Sequence, residues 1–327
     1  MDILVIIMKI TYNKGIFIEN NNVRILLDPV GFPSKKPDIV LVSHAHSDHA
    51  RGIWQKQLSN IPKIMSPATR KILEKKKGKT LRNVIEIREK NEVEYNNFRI
   101  YAASSGHCTG SLQFKFTIKD TDIVYSGDIC LEERIILNKA EQLSCDILIL
   151  EATYGKPEYV FPKRTNLYRN ILKWCKNNIE TFNKAFVGCR TLGTAQELTT
   201  LLSLSILATP IFTHPAITKI NKVHEEFHHK LGRFISYYNI SDVEGVMLVP
   251  LNSIFKKSKL NTGVATGWAV KSRRSGYFPL SSHADFQQLL NYAKNSGAEK
   301  IYTIYGFSNI LAREISERLG ITSQSLK

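Results

Sequence analysis

The sequence predicts an α/β fold built in two parts. Short apolar runs that stop at acidic or histidine residues fill the first half, and amphipathic segments alternate with β-rich ones from about residue 163. A strand, helix, strand, helix run closes the chain after Tyr277. A length of 327 residues fits roughly two domains of about 150 residues each.

The opening MDILVIIMKI holds an apolar run from Ile3 to Met8. It is too short to span a bilayer, and it lacks the basic start and small-residue cleavage site of a signal peptide. A first β-strand is expected there, with Met8 as an alternative start. ILLDPVGF (25–32) and PDIVLVSHAH (37–46) are apolar strands that stop at polar residues. FRIYAASSGHCTGSLQFKFTI (98–118) reads as two strands around a glycine-bearing loop. TDIVYSGDI (121–129) and CDILILEATYG (145–155) are further buried strands. Asp28, Asp128 and Glu151 lie at the ends of such strands, so that one rim gathers acids and histidines.

In the second part, TNLYRNILKWCKNNIETF is an amphipathic helix and KAFVGCR a short strand. TAQELTTLLSLSIL is a helix that Thr194 is placed to cap. The tail gives a strand near Tyr277, a helix in DFQQLLNYAKNSG, a strand in EKIYTIYG and a last helix in SNILAREISERLG.

Composition sets limits on function. At 43% hydrophobic and 23% charged residues, the chain reads as an ordinary soluble globular protein. Its five cysteines form no CxxC pair, which argues for a reducing cytoplasm and against a disulfide framework or a cysteine zinc site. The net charge of +16 points to a polyanionic partner, nucleic acid first. The alternative is a Lys-rich proteome of AT-rich coding, since Lys and Asn abound.

SHAHSDHARG (43–52) is the densest chemical signal. His44 and His46 stand two apart at a strand end and project to one side. Asp48 and His49 follow in the turn and are placed to serve a second position. Imidazole with carboxylate suits zinc, with manganese or iron as rivals.

HAHSDH resembles the HxHxDH signature of the metallo-β-lactamase superfamily, an αββα sandwich. Further elements follow in order: Asp28 in LLDPVGF, His107 in SSGHCTGS and Asp128 in YSGDI. The second half resembles the β-CASP nucleases. EATYG carries Glu151 at the motif A position, LGTAQEL resembles LGKAQEL with Thr194 where lysine is usual, and SSHADF carries His283 at motif B. ATGWAVKSRRSGYFPLSSHADF resembles a segment of compact exonucleases linked to DNA ligase; related groups process mRNA 3′ ends. The resemblance implies a discontinuous metallo-β-lactamase domain, 1–156 and 277–327, and a small inserted α/β β-CASP domain, 157–276.

The resemblance also implies a site and an activity. His44, His46 and His107 would hold one zinc, Asp48 and His49 a second, and Asp128 would bridge them; Asp28 would orient a ligand histidine. Glu151 and His283, with Asp48, would be catalytic, His283 contacting the scissile phosphate or protonating the leaving group. The expected activity is phosphodiester hydrolysis by a dinuclear zinc or manganese site, as an exonuclease on DNA or RNA. Single-stranded DNA or RNA is the expected partner, with no membrane; a homodimer or a repair or processing complex is compatible with it.

Tyr305 departs from the pattern, standing where motif C usually has a histidine. A phenol of pKa near 10 is a poor zinc ligand. The second site would then bind weakly, and a nearly silent nucleic-acid-binding subunit is the alternative function. Two basic clusters, Lys156, Lys163 and Arg164, and Lys271, Arg273 and Arg274, are expected to flank the cleft. RKILEKKKGK (70–79) reads as a solvated helix end. HEEFH (224–228) fits the HExxH peptidase pattern, but Leu231 and Phe234 stand where its extension needs Gly and His, so a solvated helix is expected.

Overall fold

Alternation along the early strands decides the layering. The computed structural model describes residues 8–20, 23–96, 98–207, 209–237, 244–254 and 262–326. The apolar residues Ile3 to Ile7, expected in the first strand, lie outside them. The first sheet runs in order β1 (Lys9–Tyr12), β2 (Ile16–Glu19), β3 (Arg24–Leu27), β4 (Ile39–Leu41), β5 (Lys63–Met65), β6 (Val84–Glu86). It is antiparallel through β3 and parallel beyond. The short helix α1 (Ser47–Ala50) follows β4, and α2 (Pro67–Lys77) follows β5.

The second sheet takes β7 (Glu92–Tyr95), β8 (Phe98–Ser104), β9 (Leu112–Ile118), β10 (Thr121–Tyr125) and β11 (Ile147–Glu151). The chain then builds a third sheet from β12 (Lys184–Cys189), β13 (Ile211–Thr213), β14 (Ile235–Ser236), β15 (Gly245–Pro250), β16 (Thr262–Ala265) and β17 (Tyr277–Phe278). Its helices are α3 (Arg164–Phe182), α4 (Thr194–Ser203), α5 (Pro215–Phe227) and α6 (Leu251–Ile254). After α7 (Phe286–Asn295), β18 (Lys300–Ile304) returns to pair with β11 in the second sheet; α8 (Ser308–Leu319) and β19 (Thr322–Ser325) complete that edge.

In β3, Ile25 and Leu27 point to the core between the two sheets, and Leu26 points to the opposite side with α2. In β10, Ile123 and Tyr125 face that same core, while Val124 packs under α7 and α8 with Leu289 and Leu311. The two sheets are thus covered outside by helices, giving the αββα order. The third sheet is parallel throughout, and its strands are apolar on both faces, as parallel sheets require. Leu167 and Ile171 of α3 and Leu198 of α4 cover one face.

Two local expectations need correction. The strand at Tyr277, read as part of the tail, pairs with β16 in the third sheet. Thr194 is the first helical residue of α4 and does not cap it; Gly193 precedes it at φ 99°, and Gln196 Oε1 accepts the Gly193 N–H at 2.7 Å. Asp285 caps α7, accepting from the Gln288 N–H. All five cysteines are buried and unpaired. No helix among the described residues is long and apolar enough to cross a membrane.

Candidate metal centre and cleft

Six strand ends converge on one cleft. Asp28 follows β3, His44 and His46 follow β4, and His107 sits in the β8–β9 turn. Asp128 follows β10, Glu151 ends β11 and Tyr305 ends β18. Gly127 makes the approach of Asp128 feasible: at φ 54° it lies so near Ser43 that a Cβ would come within 2.8 Å of the Ser43 Cβ.

Asp128 is the hub. Its Oδ2 lies 3.4 Å from His44 Nε2, 3.5 Å from His107 Nε2 and 3.8 Å from His283 Nε2, and its Oδ1 lies 3.4 Å from His49 Nε2. His46 Nδ1 lies 3.1 Å from His107 Nε2. All of these side chains are buried.

The far nitrogen of each ring has its own acceptor. His44 Nδ1 donates to Ser43 Oγ at 2.9 Å, and Ser43 Oγ donates to Asp28 at 2.5 Å. His49 Nδ1 donates to Asp28 Oδ2 at 2.7 Å, and His46 Nε2 donates to Leu192 O at 3.2 Å. His107 Nδ1 donates to Ser282 O at 2.8 Å, and His283 Nδ1 donates to Glu151 at 3.0 Å. These bonds assign the tautomers, so the near nitrogens present lone pairs to one another. His44 Nε2, His283 Nε2 and Asp128 Oδ1 have no hydrogen-bond partner. Burying such groups unsatisfied is costly. A divalent cation fits His44, His46, His107 and Asp128, since it takes lone pairs where neutral imidazoles have no proton left to share.

Electrostatics agree for three of the rings; at His49 burial is outweighed by Asp128 and Asp28, which raise its pKa to about 9. Burial, then the neighbouring imidazoles, holds His44 well below the usual histidine range; burial and Arg190 do the same to His46, and burial and His283 to His107. Neutral imidazole is the ligand form. Burial pushes Asp128 up to about 6 against the pull of His49 and His283. Burial also opposes charge on His283, but Glu151 and Asp128 outweigh it and raise the pKa.

Asp28 and Tyr305 both adopt the left-handed region, at φ 48° and φ 64°. For a bulky aromatic this is an outlier, of a kind that surrounding contacts must hold. Tyr305 packs against His49 at a tilt of 59°, with centroids 4.6 Å apart, and its hydroxyl bonds to Tyr125 at 3.2 Å. Tyr125 in turn donates to Asp28 at 2.6 Å. Burial and Asp28 push the Tyr305 phenol well above its usual pKa, so it stays neutral beside His49.

Three clusters of ligand atoms form among the described residues: His44, His46, His107 and Asp128; Asp28, His44 and His49; Asp128, Glu151 and His283. Asp48 does not join them. Its carboxylate is 61% exposed at the cleft edge, 3.9 Å from Arg190. Lys271, Arg273 and Arg274 are exposed but line no part of the cleft, and Lys271 is paired with Glu158. Arg164, expected on the groove surface, is instead buried and paired with Glu197. Lys76 is exposed, as expected of a solvated helix end, and it also lines the cleft and donates to Ala45 O at 3.0 Å. HEEFH ends α5, but His224 is buried and bonded to Thr109, not solvated.

Two features escaped the sequence reading. Arg190, directly after β12, lines the cleft; a basic residue ending a strand just before LGTAQEL was the available signal. Glu197 of LGTAQEL pairs with Arg134 at 2.6 Å and with Arg164, and accepts from Tyr168. Arg134 then holds the carbonyls of His107 and Gly193, and Arg164 holds that of Ser281. One buried ion network thereby ties the His107 turn to the segment bearing His283.

Residues 11–159 match the family described as the Beta-lactamase superfamily domain. A probable DNA ligase of Opitutus terrae is 26% identical over 88% of this chain and 28% of its own length. An RNase J-like protein of Methanocaldococcus jannaschii is 26% identical over 68% of this chain and 58% of its own. Cleavage and polyadenylation specificity factor subunit 3 of Dictyostelium discoideum is 27% identical over 55% and 26%. The chain therefore spans only part of each relative. A crystal structure of a protein of unknown function from Enterococcus faecalis V583 shares the fold, with TM-score 0.61 and 13% identity over 90% of this chain and 93% of that one.

Proposed function

Residues 11–159 of this chain are a metallo-β-lactamase superfamily domain, and on that premise we propose that the protein is a zinc- or manganese-dependent nuclease hydrolysing phosphodiester bonds of single-stranded nucleic acid. The observation that carries this reading is the gathering of the neutral His44, His46 and His107 rings around the Asp128 carboxylate. The relatives include an RNase J-like protein and a cleavage and polyadenylation specificity factor subunit, and a probable DNA ligase aligns over 88% of this chain. That last alignment supports DNA as the substrate over RNA, with exonucleolytic cleavage proposed from the resemblance of the ATGWAVK…SSHADF segment.

His44, His46, His107 and Asp128 would hold one ion, and His49 and Asp128 a second, with Asp48 at the cleft edge. Bound there, the ions supply an activated water and neutralise charge on the phosphoryl oxygens. The chain's own groups do the rest. Asp28 fixes His49 with its Nε2 toward Asp128. Glu151 orients His283 and favours its protonated form, so that His283 Nε2 can hand a proton to the leaving oxygen. The test is purified protein with zinc or manganese on end-labelled single- and double-stranded DNA and RNA. Cleavage that chelator stops is expected; no cleavage of any substrate contradicts the reading.

Tyr305 favours a second reading, a nearly silent binding subunit, because a neutral phenol replaces a ligand beside His49. Tyr305→His tests it. Histidine tolerates the left-handed backbone better than tyrosine and restores an imidazole. Metal affinity at the second position and cleavage at low zinc are expected to rise. If both proteins bind nucleic acid and neither cleaves, the binding subunit is the better account.

A further inference from the structure

Trp268 stands apart among the large apolar side chains near the cleft: it is 51% exposed, yet it lines the same cleft as His46, Asp128 and His283. It is carried on a 3-10 turn, Gly267–Lys271. That turn is pressed against Tyr154, since a Cβ on Gly267 would come within 2.4 Å of the Tyr154 hydroxyl. The indole packs on Tyr154, Tyr159 and Phe307, with centroids 4.8, 5.4 and 6.1 Å away. Tyr154 in turn touches the His283 ring edge-on at 5.8 Å. A rigid aromatic wall therefore runs from the acid–base histidine to a half-open indole.

The charges complete the arrangement. Arg190 and Lys76 line the cleft. The lysines near the aromatic wall are already engaged: Lys156 and Lys271 both pair with Glu158 and lie over Phe307 and Tyr159. The cleft thus has cations for a phosphate backbone and an open aromatic face for something flat and uncharged.

We propose that Trp268 is a stacking platform for an unpaired nucleobase next to the reacting phosphate. Every base has a π-face, so the platform accepts any sequence, but only a base free of its own duplex stack can reach it. The cleft would thereby select single-stranded segments. This rests on the nucleic-acid reading above.

The experiment uses the full chain with zinc and strands carrying phosphorothioate linkages, so that binding is read on strands that resist cleavage. The probes are a labelled single-stranded oligothymidylate and the same strand with abasic sites in place of its bases. Wild type should bind the base-bearing strand about tenfold or more tighter than the abasic one, the scale of one stacked base. Trp268→Ala should lose that preference while binding the abasic strand as wild type does. Trp268→Phe, which keeps a smaller ring, should fall between them. If wild type shows no preference, or Trp268→Ala retains it, the platform is overturned while the nucleic-acid reading stands. If wild type binds neither strand, the nucleic-acid reading itself fails and the platform with it.

Discussion

Asp128→Ala is expected to lower cleavage by at least ~10²–10³-fold, the scale seen when one group that stabilises transition-state charge is removed. Four imidazoles approach this one carboxylate within 3.8 Å. Without it the histidines keep their far-side acceptors, so the fold is expected to survive. Rates on an end-labelled strand with zinc or manganese, beside a denaturant unfolding curve, separate the two effects. Equal cleavage by the variant would remove Asp128 from the centre. A parallel loss of stability would make the effect structural.

The largest stability effect is expected at Glu197. It is fully buried, and it compensates both Arg134 and Arg164, themselves buried. Removing one partner of a buried ion pair strands the other charge, at a cost of about 3–5 kcal/mol. Glu197→Ala should reach that range by denaturant unfolding, and cleavage should fall as the His107 and Ser281 carbonyls lose their arginine donors. The pH dependence has a definite sign. Burial alone would raise the Glu197 pKa, but Arg134 and Arg164 outweigh it and hold the pKa below the ordinary glutamate value. A folded-state pKa below the unfolded one gives stability that is present above the unfolded value and lost as pH falls through the folded one. Wild type should carry that acid-sensitive component and Glu197→Gln should lack it. Identical acid profiles would contradict the network's weight.

The contrast between Asp128 and Glu197 shows what was legible in the sequence. Strand ends bearing Asp28, Asp128 and Glu151 were visible because each acid interrupts an apolar run, and His44 and His46 because their spacing places them on one side of a strand. The layered order came from the family resemblance and not from these runs. Glu197 was not legible, because Arg134 and Arg164 lie 63 and 33 residues away along the chain, with no periodicity linking them. For the same reason Arg164 read as a surface cation when it is buried. His224 failed similarly: its helix was predicted, but α5 packs against α2, with Ile220 and Val223 in one apolar cluster with Ile72 and Leu73, and His224 is buried with them. Trp268 had only a local signal, an aromatic after glycine, which says nothing about which face stays open.

The most direct measurement is anomalous scattering from crystals grown with zinc, recorded on both sides of the zinc edge. Two peaks are expected about 3.5–4 Å apart, with Asp128 between them, the first ringed by His44, His46 and His107 and the second, weaker one beside His49 and Tyr305. A single peak elsewhere, or none within reach of Asp128 after saturating zinc, would contradict a two-ion centre.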